Sequence, residues 1–191
     1  MYELTLQDRC VMIRTDFNVP LDSAGNIRHA KRIDSSLPTI RYALAQGASV
    51  LLVSHMGRPE GRDVAYSLKV VADYLSEKLG QKVTFLSNWP EVPQQLQPGE
   101  VALAENIRFY PEEMNNDPNF AKKMARGVDV FLLDAFGCAH RAHASTVGIT
   151  EHVDQVGFGL LVKAELNQLN YLISNESQPL GVVISGSKVS T

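Results

Sequence analysis

Between residues 10 and 133 the chain repeats one pattern: a short, almost uninterrupted apolar run, a polar loop, then a stretch with helical periodicity. The apolar runs occupy residues 10–14, 48–53, 83–86, 101–103 and 130–133. A strand that is apolar at nearly every position belongs to a sheet covered on both faces, because an exposed face would show alternate polar residues. Between the runs, Ile33, Leu37, Ile40 and Leu44 share one helical stripe that Gly47 closes, and Pro38 is tolerable there only near the helix start. Residues 67–79 turn Leu68, Val71, Ala72, Leu75 and Leu79 to one side and stop at Gly80. Asp117 and Pro118 read as a cap followed by proline at the first helical position, opening a helix through Met124 to Gly127. Residues 160–174 align Val162, Leu166, Leu169 and Ile173, and residues 181–185 begin a further apolar strand. Strand alternating with helix predicts an α/β fold: a doubly wound, Rossmann-like parallel sheet with helices on both faces.

The loops that follow the runs share a second property, which is that they carry cations. The first ends in Arg14-Thr15-Asp16-Phe17-Asn18-Val19-Pro20, where alternate residues of an extended chain make a fork of donors and acceptors. The second ends in Ser54-His55-Met56-Gly57-Arg58-Pro59 and the fourth in Glu105-Asn106-Ile107-Arg108-Phe109. After Asp134 and Gly137 come His140-Arg141-Ala142-His143, with Ser145 placed to cap a helix. Arg32 stands just before a predicted helix amino terminus. In a parallel sheet the loop residues emerge at the carboxyl ends of the strands, where α/β proteins bind ligands, with Arg32 at a nearby helix start. Clustered cations repel one another unless an anion joins them, so a phosphate or carboxylate ligand is expected, and Asp16 and Asn18 suit hydroxyl groups.

Composition narrows the field. The 191 residues, 45% of them hydrophobic, can bury a full core and suggest one domain or one and a fraction. A net charge of −3 argues against a nucleic-acid partner. No apolar run approaches the roughly 20 residues of a membrane span, and the amino terminus lacks the order of a signal peptide, so neither membrane nor export is expected and the cytoplasm is the default. Cys10 and Cys138 have no CxxC spacing and fit a reducing compartment. Three other chemistries touch the same residues. Residues 181–186 have the spacing of a P-loop, but the lysine comes one residue late. Cys138, His140 and His143 could hold zinc, although no fourth ligand is placed and an arginine adjoins them. Cys138 could act as a nucleophile beside His140.

The four loop motifs, in this order, resemble those of the phosphoglycerate kinase family, and they cover nearly the whole chain. The resemblance implies that Asp16, Asn18, Arg32, His55, Met56, Gly57, Arg58, Arg108 and Arg141 bind 3-phosphoglycerate, with Arg14, His140 and His143 completing a basic patch. It further implies that Arg32 and Lys188 are catalytic, meeting the phosphoryl group in flight from opposite sides. The reaction would be reversible transfer between 1,3-bisphosphoglycerate and ADP, with Mg2+ accompanying ADP or ATP on a second domain. Residues 1–174 would then form the phosphoglycerate domain and residues 175–191 the start of the nucleotide domain, in an enzyme that is monomeric when full-length.

Two positions depart from the family pattern. Ser185-Gly186 stands where a pair of glycines is usual, and Cys138 where threonine is common. The family's glycine-rich nucleotide segments and metal-binding aspartate do not follow within Thr191, so the chain is expected to bind 3-phosphoglycerate, bind ATP hardly at all and lack kinase activity alone. The alternative reading is a non-catalytic module that binds phosphorylated metabolites.

Overall fold

The computed structural model describes residues 4–92, 95–174 and 181. Each apolar run becomes a strand: β1 (Cys10–Arg14), β2 (Ser49–Val53), β3 (Val83–Leu86), β4 (Val101–Ala104) and β5 (Val130–Leu133). With β6 (Gln155–Phe158) they form a six-stranded sheet in the order β3-β4-β2-β1-β5-β6, and every pairing is parallel. The sheet grows from β1 to one side through β2 and β4, then to the other through β5. The loops leaving β1, β2 and β5 therefore diverge around a topological switch point.

Alternate strand residues feed two separate cores, as the period of 2 requires. Val11, Ile13, Val50, Leu52 and Leu132 meet Ile33, Leu37 and Ile40 of α1 (Lys31–Ala45) and Val71 and Leu75 of α2 (Lys69–Leu79). On the opposite face Met12, Leu51, Val53 and Phe131 meet Phe120, Ala121 and Met124 of α4 (Pro118–Met124), which follows the single turn α3 (Pro111–Met114). Helices on both faces are what uninterrupted apolar strands demand. Asp117 caps α4 by accepting from Phe120 N at 2.8 Å, and Gly80 ends α2 with φ +67°, as their sequence positions indicate.

Four expectations are corrected. Helix α1 starts at Lys31, so Arg32 lies within its first turn, not ahead of it. Pro38 sits in the interior of α1; it and Asp34 are both exposed, so the carbonyl left without an amide donor stands on the solvent side, where water can meet it. Ser145 caps no helix, because its side chain is engaged elsewhere, and residues 148–151 make only a 3-10 turn. The stripe on α5 (Leu160–Ser174) is covered only at Val162, while Leu169 and Ile173 are exposed. Strand β6 was not foreseen. The strand expected at 181–185 and the residue Lys188 lie outside the described residues.

Helix α5 is fixed where it leaves β6. Asp134 Oδ1 accepts from Leu161 N at 3.0 Å and from Val162 N at 3.4 Å, and Thr39 Oγ1 of α1 accepts from Leu160 N at 3.0 Å. Burial pushes the Asp134 carboxyl above its usual range, against the opposing effect of its Thr39, Val162 and Leu161 bonds. Gly159 passes so close that a Cβ there would lie 2.2 Å from Asp134 Oδ1. Gly159→Ala is therefore expected to lower stability by about 1–3 kcal/mol in urea denaturation. Gly61→Ala, where nothing lies within 4 Å of the added carbon, should change it by less than about 0.5 kcal/mol.

Candidate functional site

The sheet register aligns the strand ends. Arg14 pairs with both Val53 and Leu133, and Leu52 pairs with Leu103, so the chain leaves β1, β2, β4 and β5 along one edge. The departing loops are tied to each other by short polar side chains. Ser54 Oγ donates to Thr15 O at 2.9 Å and accepts from Phe17 N at 2.8 Å. Asn106 Oδ1 accepts from Met56 N at 3.2 Å and from Arg108 N at 3.1 Å, while its Nδ2 donates to Met56 O at 2.8 Å and Tyr66 O at 2.9 Å. Gly57, at φ +61°, donates from N to Asn18 Oδ1 at 2.9 Å, and its carbonyl accepts from Arg108 Nη1 at 2.5 Å. A Cβ there would lie 2.3 Å from the Tyr66 ring, so backbone geometry and packing both require glycine.

These loops enclose a cavity of about 310 Å³ lined by Asp16, Asn18, Arg32, His55, Gly57, Arg58, Arg108, Gly137, Cys138 and Arg141. Eight of the thirteen positions singled out by the motifs thus meet in one place. Arg32 Nη1 reaches Asp16 Oδ2 at 3.2 Å and Asn18 O at 3.0 Å across the mouth. Of the other five, Lys188 lies outside the described residues, and four fall elsewhere. Met56 is buried beneath the loop, and His140 is exposed outside the lining. Arg14 does not join Asp16 and Asn18 in an open fork: it is 1% exposed, donating from Nε to Ser145 Oγ at 2.7 Å and from Nη1 to Thr15 O. His143 turns toward the buried Glu113, its Nδ1 3.6 Å from Oε1. Cys138 lines the cavity without belonging to the expected phosphoglycerate-binding set, and the clamp Asn106 lies within the Glu105–Phe109 motif, where only the folded loops reveal its bonds. A neighbouring cavity of about 550 Å³ shares Asp16, Arg32 and Gly137 but is walled by Val19, Pro20, Ala135, Phe136 and Leu161.

The field inside the basic cavity is positive. His55 is held down to about 2 by burial and then by the charges of Arg14, Arg108, Arg141 and Arg32, so its ring is neutral. Burial first, then Arg141 and Arg14, lowers Arg108. Burial raises the Cys138 thiol, outweighing the arginines, which leaves it a poor nucleophile at neutral pH. Glu113 stays below the usual carboxylate value: burial opposes its charge, but the His143 bond, the Arg14 charge and two Ser145 bonds outweigh it.

Zinc ligation by Cys138, His140 and His143 finds no support, since among the described residues the donors that gather within 4.8 Å of one another are Asp16, His55 and Cys138. That trio also suits a cation poorly. Asp16 is paired with Arg32, the thiol is protonated, and Arg14 Nη2 faces His55 Nδ1 at 3.4 Å. Among the described residues, no helix is long and apolar enough to cross a membrane.

The family model described as phosphoglycerate kinase matches residues 1–191. A phosphoglycerate kinase of Gloeothece citriformis is 46% identical over 97% of this chain and 48% of its own length. One of Borrelia garinii subsp. bavariensis is 50% identical over 94% of this chain and 47% of its own length. The solved phosphoglycerate kinase of Coxiella burnetii superposes with a TM-score of 0.88 at 40% identity, covering 94% of this chain and 46% of that one. The chain spans about half the length of the curated relatives it matches.

The titration of His55 and Glu113 contributes to the acid stability of the fold. Unfolded, His55 takes up a proton below its ordinary value of 6.5, whereas the folded ring refuses one down to about 2, so stability falls as pH falls through that interval. Glu113 adds a loss of the same sign below its ordinary value of 4.5. Between pH 6.5 and 4.5, His55→Gln should flatten the urea-denaturation profile by up to about 1.4 kcal/mol per pH unit. Parallel profiles for the two proteins would show a histidine that protonates in place.

Proposed function

The chain belongs to the phosphoglycerate kinase family, and we propose that its basic cavity binds 3-phosphoglycerate and 1,3-bisphosphoglycerate for reversible phosphoryl transfer with ADP and ATP. The observation that carries this reading is the delivery of Arg32, Arg58, Arg108 and Arg141 into one cavity where the single carboxylate among the described lining residues, Asp16, is already paired. Arg58, Arg108 and Arg141 suit the phosphate, His55 and the Gly57 segment a ligand oxygen, and Asp16 and Asn18 the hydroxyl. Met56 serves by packing beneath that segment. Arg14 supplies surrounding positive charge, and His140 and His143 flank the Arg141 loop. Arg32, half-exposed at the mouth, is the side chain able to turn toward a phosphoryl group in flight, and Lys188 is its proposed counterpart from outside the described residues.

Such a transfer asks little covalent chemistry of the protein. A carboxylate acceptor is already deprotonated at neutral pH, so no general base is needed, and positioning with positive charge suffices. Mg2+ is not suited to the described cavity: it prefers oxygen ligands, and the one carboxylate there faces arginines. The magnesium nucleotide is assigned to other parts of the complete enzyme, with residues 175–191 proposed as the passage toward them. A cytoplasmic monomer is the proposed state of that enzyme, with neither nucleic acid nor membrane as partner.

Isothermal titration of the 191-residue chain with 3-phosphoglycerate tests the reading. Arg58→Ala removes an exposed guanidinium worth about 1.5–3 kcal/mol in charge-assisted bonds, a loss of roughly tenfold to a hundredfold in affinity. Arg32→Ala should leave affinity nearly intact while cutting turnover of the complete enzyme by orders of magnitude. Absence of binding, or equal binding by Arg58→Ala, would contradict the assignment.

A further inference from the structure

Glu113 is a carboxylate with 0% exposure that lines neither the basic cavity nor its apolar neighbour. Burying an ionised carboxylate is unfavourable unless donors meet its oxygens. Here Oε2 accepts from Ser145 N at 2.8 Å and Oε1 from Ser145 Oγ at 2.6 Å. Having given its one hydrogen to Glu113, the Ser145 hydroxyl can only accept from its other neighbour, Arg14 Nε, at 2.7 Å. With Nε so directed and Nη1 held by Thr15 O, the planar guanidinium has one orientation, which brings Nη2 to 3.4 Å from His55 Nδ1. A guanidinium has no lone pair to offer, so Nδ1 must be the acceptor and the neutral ring carries its hydrogen on Nε2.

We propose that Glu113 is a positioning residue for the cavity: acting through Ser145 and Arg14, it holds His55 as the Nε2–H tautomer. The opposite tautomer would set an N–H against the Arg14 N–H and leave Nε2 as a bare lone pair, which repels an anionic oxygen. Glu113 therefore governs whether His55 can serve as a hydrogen-bond donor, although it lines no part of the cavity. The use of that donor rests on the assignment of 3-phosphoglycerate to the cavity; the tautomer does not. In Glu113→Gln one oxygen becomes an amide NH2, which either faces the Ser145 amide as donor against donor or donates to the hydroxyl and frees its hydrogen. Either change unsettles the acceptor that directs Arg14. Ser145→Ala removes that acceptor outright while keeping the backbone bond to Glu113.

Long-range 1H–15N spectra of the histidine rings, with His55 assigned by its loss in His55→Gln, read the tautomer directly. The unsubstituted chain should show a bare Nδ1 and a protonated Nε2 on His55. In Glu113→Gln and Ser145→Ala the two nitrogen signals should move toward each other, and 3-phosphoglycerate affinity should fall by about fivefold or more. Protonation of Nδ1 in the unsubstituted chain, or unchanged ring signals in both variants, would overturn the proposal. Weaker binding with an unchanged ring would also overturn it, by reducing Glu113 to a support for the loop. Should Glu113→Gln fail to fold, Ser145→Ala decides alone. If the unsubstituted chain binds no 3-phosphoglycerate, the ligand assignment falls while the ring signals still judge the role of Glu113.

Discussion

Repulsion among the guanidiniums of Arg14, Arg32, Arg108 and Arg141 is the constraint that the strand-end architecture has to meet. Burial first, and then the charges of all four, keep the His55 ring neutral far below its ordinary range. The fold holds three of them with main-chain carbonyls: Arg14 on Thr15 O, Arg32 on Asn18 O and Arg108 on Gly57 O. A carbonyl fixes direction without cancelling charge. Among the described residues, carboxylates bear on these arginines at two places, with Asp16 against Arg32 at the mouth and Glu113 acting on Arg14 through its charge. The cavity between them keeps its positive field for a ligand.

The sheet makes this possible because its register is set by burial on both faces. A slip by one residue would exchange the two cores, turning Val11 and Ile13 toward the residues that pack on Met12. With the register fixed, the loops after Arg14, Val53, Ala104 and Leu133 start side by side. Ser54, Asn106 and Gly57 then bind the loops after β1, β2 and β4 to one another, so Arg58 and Arg108 are carried by loops that are hydrogen-bonded to their neighbours. Rigid carriers reduce the ordering cost of binding, which matters for a small, highly charged ligand.

Much of this was legible from residue order. Strands β1 and β3 fall on the expected residues, because a continuous apolar run has few other uses at that length. The gathering of Arg58, Arg108 and Arg141 follows from parallel strands alone. Strand β6 is not legible there for a physical reason: at the sheet edge it is half-exposed, short and interrupted by Gly157, so it has neither a full apolar run nor a clear alternation. Ser145 looked like a cap because serine before a polar-to-apolar change usually is one, and only tertiary contact with Glu113 reveals its use. Arg14 shows the same limit. Its chemistry was visible, but its burial depends on a partner 131 positions away.

The convergence of strand-end cations on one small phosphorylated acid is tested most directly by crystallography of the chain with 3-phosphoglycerate. The phosphate and carboxylate should lie in the cavity of about 310 Å³, within hydrogen-bond distance of Arg58, Arg108 or Arg141 and of His55 Nε2. A ligand seated instead in the apolar cavity beside Phe136 and Leu161, with those guanidiniums turned to solvent, would contradict it.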